Sequence, residues 1–262
     1  MGEIDTTVPH PARRYNYWLG GKDHFAVDRK SGDAIAAAWP GVRLAARENR
    51  MFLQRAVRYL AEQGVSQFLD IGTGIPTADN THEVAQAINP AARIVYVDND
   101  PLVLTHARAL LTSAPQGATA YLDADLRSPA DILTHDDLRD TLDLSRPVAL
   151  ILVAILHFIR DDEDPRGIIE QLLAALPAGS YLVASHATYD HLSPEAIEKL
   201  EANNRDGRFN PRSAAEFARL IAGPAMIEPG LVSVSDWRSG DAPQPRPKAS
   251  DVSCNGAVAR LG

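Results

Sequence analysis

Cysteine is nearly absent from this 262-residue chain, and hydrophobic runs long enough to span a membrane are absent altogether. The one cysteine, Cys254, excludes an internal disulfide framework and a cysteine metal cluster, and its place in a predicted strand indicates a small buried side chain. The longest apolar run, residues 148–159, is broken by His157 and is too short to cross a bilayer. No positively charged segment leads into an apolar stretch at the N-terminus. We therefore expect a cytoplasmic protein with no membrane partner.

Basic residues are outnumbered by acidic ones. The 26 lysines and arginines face 34 aspartates and glutamates, which gives a formal net charge of −8. Proteins that hold nucleic acid through its phosphates usually carry a basic surface that displaces counterions, so no nucleic-acid partner is expected. With 45% hydrophobic residues the chain can bury one large core, which favours a single elaborated domain over two independent ones. We expect a monomer or a homodimer.

The most informative segment is Gln-Phe-Leu-Asp-Ile-Gly-Thr-Gly-Ile-Pro, residues 67–76. Its apolar part is typical of a strand buried in a parallel sheet, and Gly72 and Gly74 permit backbone angles and close approaches that a Cβ would block. Apolar positions recur at helical spacing over residues 77–88, so the turn leads into a helix whose N-terminus faces a ligand. The segment therefore predicts a site for a nucleotide-like cofactor.

A second strand is predicted over residues 93–98, and it ends in a carboxylate, Asp98. In a doubly wound sheet this side chain lies beside the glycine turn, where it can accept two hydrogen bonds from a ribose diol. Dinucleotide-binding dehydrogenases use the same geometry. Their third glycine is missing here, because Ile75 and Pro76 follow Gly74. A nicotinamide-dependent oxidoreductase stays open as an alternative.

Three segments together resemble the first three cofactor motifs of class I S-adenosylmethionine-dependent methyltransferases. They are Phe-Leu-Asp-Ile-Gly-Thr-Gly, Tyr-Val-Asp-Asn-Asp and Tyr-Leu-Asp-Ala-Asp-Leu-Arg, at residues 68–74, 96–100 and 121–127. The resemblance implies that Asp70 lies near the methionine part of the cofactor, that Asp98 binds the ribose and that Asp125 meets the adenine amino group. Asp123 is the alternative to Asp125, since the pattern does not fix the end of the third strand.

A closer resemblance is to one actinobacterial family of class I methyltransferases, formerly a domain of unknown function. Residues 11–25, 70–77, 185–188 and 256–260 carry it, and it covers nearly the whole chain. It makes Pro76 part of the family's own pattern and implies S-adenosylmethionine as the cofactor. The cofactor contacts predicted on this basis are Arg14, Tyr15, Asp70, Gly72, Thr73, Gly74, Asp98, Asn99, Asp125 and Leu126.

Alternating strand and helix patterns predict an α/β fold with a doubly wound, mostly parallel sheet. The resemblance implies seven strands in a Rossmann-like methyltransferase domain over residues 65–262, preceded by an N-terminal helical cap or lid over residues 1–64. Strands are predicted at residues 67–71, 93–98, 118–122, 147–153, 179–186, 225–237 and 253–260. Helices are predicted in two or three pieces over residues 10–64 and at residues 77–88, 102–111, 167–176, 193–203 and 213–222.

Aromatic, charged and glycine residues are concentrated in residues 14–25, a mixture that lowers helix stability and rarely serves packing alone. One interpretation is a helix that covers the sheet with its aromatic rings. The other is a lid over the cofactor. In that hypothesis Arg14 or Lys22 pairs with the cofactor carboxylate, and Tyr15 and Trp18 face its sulfonium or the substrate.

Two histidines are the candidate catalytic residues. His157 follows the predicted fourth strand and His186 lies at the end of the fifth, where an imidazole can take a proton during transfer. For each, a structural histidine is the alternative. We expect methyl transfer from S-adenosylmethionine to an oxygen or nitrogen of a small molecule, with no metal. The alternative is a non-catalytic protein that binds S-adenosylmethionine or S-adenosylhomocysteine and acts as a regulator.

Overall fold

Strands and helices alternate along the chain after an N-terminal helical segment. The computed structural model describes residues 5–110, 113–204 and 207–262. Residues 1–4 of the predicted cap and Leu111, the predicted end of one helix, lie outside the described residues. The strands are β1 Gln67–Ile71, β2 Arg93–Asp98, β3 Ala118–Asp123, β4 Ala149–Leu152, β5 Tyr181–Ala187, β6 Ala225–Met226, β7 Val232–Ser233 and β8 Cys254–Arg260. The helices are α1 Pro11–Trp18, α2 Ala26–Ala38, α3 Val42–Glu62, α4 Thr81–Ile88, α5 Pro101–Leu110, α6 Pro129–Thr134, α7 Asp136–Thr141, α8 Pro165–Ala174, α9 Pro194–Asn203, α10 Ala214–Leu220 and α11 Ala249–Val252.

One mixed sheet contains all of these strands, in the order β3-β2-β1-β4-β5-β8-β6, with β7 also paired to β8. Strands β1 to β5 are parallel, and β8 is antiparallel to β5. The chain proceeds outward from β1 to β3 and then crosses to β4 on the other side of β1. In open α/β sheets, ligands bind beyond the carboxyl ends of the strands at such a reversal of order. The predicted α/β fold with a mostly parallel, doubly wound sheet is confirmed.

Both faces of the sheet are buried under helices, which is why the central strands are almost continuously apolar. On one face, Phe68 and Ile151 pack with residues of α3 and α4. On the other, Leu69 and Leu150 pack with residues of α6, α7, α8 and α10. Among the described residues no helix combines the length and the apolar character needed to cross a membrane.

At the edge beyond β8, the sheet has one strand more than the seven expected. A continuous strand was expected over residues 225–237, but only β6 and β7, of two residues each, pair with β8. Between them, Pro229 has no N–H to donate to a ladder, and Gly230 has a φ of +83°, outside the β region. The edge position is therefore divided in two, and the sheet has eight strands.

The N-terminal helices do not form one layer. Helix α3 belongs to the core, because Phe52, Val57 and Leu60 are fully buried against the sheet. Helices α1 and α2, which we call the cap, pack on each other and on α3, and α2 also contacts α9. The predicted division of the chain at residue 64 thus stays a prediction, and the lid hypothesis rests on the cap alone.

Phe52 offers a test of whether α3 belongs to the core. Its ring is fully buried and packs edge-on against Trp237, with ring centroids 5.6 Å apart. We expect Phe52→Ala to lower the free energy of unfolding by about 3–5 kcal/mol, measured by urea denaturation. Met226→Ala, at an exposed edge position, is the control and should change it by less than about 0.5 kcal/mol. A loss below about 1 kcal/mol for Phe52→Ala would instead indicate that α3 is a detachable part of the cap.

Candidate functional site

The glycine turn after β1 is bonded to the acid that ends β2. Gly72 and Gly74 have φ values of +77° and +68°, which a residue with a Cβ adopts only with strain. A Cβ on Gly72 would lie 2.8 Å from the side chain of Ile155, whereas nothing lies within 4 Å of the same position on Gly74. The N–H of Gly74 donates to Oδ2 of Asp98 at 2.8 Å. The turn therefore fixes the position of the carboxylate and leaves the space at Gly74 open.

Asp98 is buried, and burial raises the pKa of its carboxyl group above the usual value. Its second oxygen, Oδ1, accepts a hydrogen bond from the N–H of Asp100 at 2.9 Å. A carboxylate has about four acceptor positions, so two remain for hydroxyl donors. This geometry suits the two hydroxyls of a ribose.

Asp70 lies below the same turn and is also buried. Its Oδ2 accepts the hydroxyl of Thr81 at 2.6 Å, and the hydroxyl of Thr73 donates to its backbone carbonyl at 3.0 Å. Burial raises the pKa of Asp70 to about 6, against the effects of the Thr81 hydrogen bond and of the charge of Arg50. Asp70 therefore braces the turn and the start of α4, and Arg50 sets a positive charge beside it.

The segment after β3 reaches back to the end of β2. The side-chain amide of Asn99 donates to Oδ2 of Asp125 at 2.8 Å, and the N–H and guanidinium of Arg127 bond to the same carboxylate. Although burial opposes it, these bonds hold the pKa of Asp125 below its usual value. Leu126 is buried, whereas Asp123, opposite Asp98 in the sheet register, is exposed. The structure thus brings Asn99, Asp125 and Leu126 to one edge.

The cap contacts the carboxyl edge of the sheet. Ala12 and Phe25 pack against Ile75 of the glycine turn and against Leu102 and Val103 of α5. This contact places α1 over the glycine turn and the start of α5.

The two cap residues predicted to touch the cofactor make other contacts. Nη1 of Arg14 donates to the hydroxyl of Ser31 on α2 at 3.0 Å. The Tyr15 hydroxyl donates to the carbonyl of Ala46 at 2.8 Å and accepts from the amide of Asn49 at 3.1 Å. Burial raises the pKa of Tyr15 to about 12. Arg14 therefore joins the two helices of the cap and Tyr15 joins the cap to α3, and a contact of either side chain with the cofactor stays a prediction.

Trp18 and Lys22 complete the lid hypothesis. The indole N–H of Trp18 donates to the carbonyl of Gly32 at 3.2 Å, so its polar edge is turned to α2. Lys22 is exposed. Neither position supplies a contact that supports the predicted cofactor role.

His186 is completely buried and both of its ring nitrogens are engaged. A guanidinium cannot accept a proton, so Nη1 of Arg212 donates to Nε2 at 3.0 Å, and Nδ1–H must then donate to the carbonyl of Ala187 at 2.8 Å. Burial lowers the pKa of His186 to about 4. The ring is neutral and has no free lone pair with which to take a proton.

His157 lies in the turn after β4, with its ring against those of Phe158, His186 and Phe209. Its Nδ1 accepts a long hydrogen bond, 3.4 Å, from the N–H of Ala187, which places the proton on Nε2. Burial lowers the pKa of His157 well below its usual value, with smaller effects from His186 and the charge of Arg212. In this tautomer Nδ1 is engaged and Nε2 carries the proton, so the neutral ring offers a donor and no free lone pair, and its catalytic role stays a prediction.

A groove of about 860 Å³ opens beside these histidines. It is lined by residues that follow β4 and β5, among them Asp161, Tyr189 and Phe209, and by α10. Arg212 forms part of its floor, where it bonds Asp161 and the carbonyls of Leu156 and Ile159. The groove combines aromatic rings, carboxylates and guanidinium groups, and its volume is in the range of small-molecule sites.

The sequence interpretation missed four residues that organise this edge. Asp100 carries a weak signal, since an aspartate before Pro101 is a typical helix start. Arg13, Arg50 and Arg212 have no local signal, because each acts across a long stretch of chain.

The strand order and the glycine turn are those of a class I methyltransferase fold. The two free acceptor positions of Asp98 fit the ribose of its cofactor, whereas cofactor contacts of Asp70 and Asp125 stay predictions. The chain belongs to the S-adenosyl methyltransferase family, whose profile matches residues 1–262. It is a methyltransferase and its cofactor is S-adenosylmethionine, as the resemblance implied.

Solved structures agree with this assignment. The chain is 44% identical to a DUF574 family protein from Streptomyces avermitilis, over 99% of this chain and 100% of that one, with a TM-score of 0.93. It is 41% identical to a protein from Thermobifida fusca provisionally named a methyltransferase, over 98% and 96% of the two chains, with a TM-score of 0.89. The plantazolicin methyltransferase BpumL shares the fold at 14% identity, over 96% and 95%, with a TM-score of 0.51. A comparison with curated proteins finds no match.

The state of His186 predicts a pH dependence of stability. Its pKa is about 4 in the native protein and about 6.5 in an unfolded chain, so between these values the unfolded chain binds a proton that the native protein does not. The free energy of unfolding should therefore fall as the pH falls from 6.5 towards 4, by at most about 1.4 kcal/mol per pH unit from this group.

In His186→Asn the free energy of unfolding should change less steeply with pH, with a slope smaller by the equivalent of up to one bound proton. Urea denaturation between pH 4 and 7.5 measures this slope. Arg212 keeps its carboxylate and carbonyl partners in the variant, which preserves its pairing. An unchanged slope would mean that His186 is not held neutral.

Proposed function

We propose that this methyltransferase transfers the methyl group to an oxygen or nitrogen atom of a small molecule, with the cofactor bound across the carboxyl ends of β1, β2 and β3. The observation that carries this proposal is the pair formed by the glycine turn and the buried Asp98 carboxylate, joined at 2.8 Å. In the proposal Asp98 accepts both ribose hydroxyls. Asp125, whose acceptor positions are taken by Asn99 and Arg127, accepts the adenine amino group by giving up one of these bonds. Asn99 and Leu126 flank the base.

The methionine end of the cofactor lies above Asp70, Gly72, Thr73 and Gly74. The N–H groups of Gly72 and Thr73 donate to the carbonyl of Val97, so in the proposal the N-terminus of α4, and not the turn, offers positive charge to the cofactor carboxylate. Just after the turn, Nη2 of Arg50 donates to the side-chain oxygen of Asn80 and to the carbonyl oxygens of the two residues before it. Arg50 is therefore placed to add a positive charge at the methionine end. We assign Arg50 this task in place of Arg14, whose guanidinium bonds Ser31.

The bound cofactor supplies a sulfonium that already activates the methyl group. The work left to this chain is to align the accepting atom in line with the methyl group and to exclude water. The cap and Ile155 cover the turn and perform the exclusion. His157 supports the ring of Phe209 at the acceptor groove, and His186 fixes the position of His157 and Arg212. A carboxylate or phenolate acceptor needs no general base because it is already deprotonated, and a neutral amine attacks first and loses its proton to water afterwards.

The groove beside His157 is the proposed acceptor site. Its lining residues follow β4 and β5 in the chain, and the carboxyl ends of these parallel strands lie at the same edge of the sheet as the glycine turn. BpumL, which shares the fold, was solved with a monoazolic desmethylPZN analog and S-adenosylhomocysteine. A small molecule with an aromatic part suits the ring of Phe209, and the nearby guanidinium groups and carboxylates suit a polar substituent.

Calorimetric titration with S-adenosylmethionine and S-adenosylhomocysteine tests the cofactor site, with NAD as the control ligand. We expect dissociation constants on the order of micromolar for the first two and no binding of NAD. Asp98→Ala removes two hydrogen bonds to a charged group and should weaken binding roughly 100-fold. The matched control is Asp137→Ala, an exposed acid on α7 that should leave affinity unchanged. Unaltered binding by Asp98→Ala would reject this site, and a preference for NAD would reject the cofactor.

Turnover is tested by following S-adenosylhomocysteine release with a panel of small phenols, alcohols, carboxylates and amines. We expect one class to support turnover that Asp98→Ala abolishes. Cofactor binding without turnover on any acceptor would favour the regulatory alternative, and turnover only on peptides would overturn the small-molecule assignment.

Phe209 tests the acceptor groove. Removing its ring in Phe209→Ala should raise KM for the acceptor found in the panel by roughly 10-fold, because the ring contributes apolar contact area. Affinity for S-adenosylhomocysteine in the same variant should stay within about twofold, since the residue is outside the proposed cofactor site. An unchanged KM would place the acceptor elsewhere.

A further inference from the structure

The loop that follows β2 connects the proposed ribose-binding acid to the cap. The N–H of Asp100 donates to Oδ1 of Asp98, so the two residues move together. The carboxylate of Asp100 has two different neighbours. Its Oδ1 accepts the N–H of Leu102 at 2.9 Å, which starts α5, and its Oδ2 lies 2.9 Å from Nδ1 of His10 and 3.5 Å from Nε of Arg13.

Arg13 is as deeply enclosed as its partner, with 5% of its side chain exposed against 4% for Asp100. Its Nη1 donates to the carbonyl of Asp5 at 3.0 Å and lies 3.8 Å from Oδ2 of Asp28. The guanidinium also stands 5.4 Å from the ring centre of Phe25. Asp28 is fully buried, and its carboxylate accepts the N–H groups of His10, which precedes α1, and of Phe25, which precedes α2.

At the loop after β2, the cap is therefore held by buried charges as well as by apolar contact. The apolar contact of the cap with the glycine turn and α5 has few members. A buried charge that loses its partner is strongly unfavourable, so Arg13 and Asp100 hold each other in place. Because Asp100 also donates to Asp98, any group that fixes Asp98 acts on the pair.

We propose that Arg13 and Asp100 are positioning residues that hold the cap closed over the ribose end of the cofactor, so that cofactor binding and ordering of the cap favour each other. This inference rests on the proposed function, in which Asp98 binds the ribose. Ribose hydroxyls on Asp98 immobilise the loop, the immobilised Asp100 carboxylate retains Arg13, and the retained cap slows cofactor release. Coupling of this kind is reciprocal.

A double-mutant cycle on the dissociation constant of S-adenosylhomocysteine tests the coupling. Arg13→Gln keeps the aliphatic stem, and Asp100→Asn keeps an oxygen for the N–H of Leu102. We expect each variant to weaken binding roughly 10-fold and the double variant to be no weaker than Asp100→Asn. Asp33→Asn is the matched control: it breaks a 3.0 Å ion pair with Arg43 on the outer side of the cap and should change affinity less than twofold.

Amide hydrogen exchange separates positioning from general stabilisation. In the unaltered protein, saturating S-adenosylhomocysteine should slow exchange over residues 11–25. In Asp100→Asn, at ligand concentrations that fill the site, this slowing should be lost. A merely structural role would instead raise exchange equally with and without ligand.

Two outcomes would overturn the inference: multiplicative effects of the two single variants, or ligand-induced slowing that persists in Asp100→Asn. Failure of the proposed function is distinguishable, since the unaltered protein would then not bind the ligand or Asp98→Ala would bind it normally. Loss of binding in Asp98→Ala together with full binding and full slowing in Asp100→Asn would reject the coupling alone.

Discussion

The carboxylate of Asp98 is the point on which the organisation of this site depends. It is buried, and burial disfavours its charged form, so its position is tolerable only because backbone N–H groups are aimed at it. These N–H groups come from Gly74, after β1, and from Asp100, after β2. One side chain thus fixes the relative position of the two turns, and the open acceptor positions that remain point to where a diol fits.

Features set by local sequence were predictable. The positions of β1 and β2 follow from short apolar runs, and the turn follows from Gly72 and Gly74, whose positive φ values leave little alternative. Asp70 and Asp98 could be placed because a residue at a strand end has one possible edge. The edge beyond β8 was predicted wrongly as one strand, since its pairing depends on how Pro229 and Gly230 interrupt contact with a distant partner.

Local sequence patterns could not predict the arrangement of the cap. Successive residues of a helix point about 100° apart, so the choice between Arg13 and Arg14 depends on how α1 is rotated, and that rotation is set by Asp28 and Asp100. The histidines show the same limit. Their positions at strand ends were predicted from the sequence, but whether each ring is free or engaged depends on Arg212, which is distant in the chain.

The hydrogen bonds of the two histidines lie where two parts of the molecule meet. The glycine turn, the ends of β2 and β3 and the cap surround the proposed cofactor position, whereas the groove is lined by residues that follow β4 and β5. The two parts meet where Arg212 bonds the turn after β4 and His186 at the end of β5. Methyl transfer needs alignment more than acid–base chemistry. In the proposed function a buried cation that joins two strand ends therefore suits the reaction better than a titrating imidazole, because it fixes the groove at any pH at which the fold is stable.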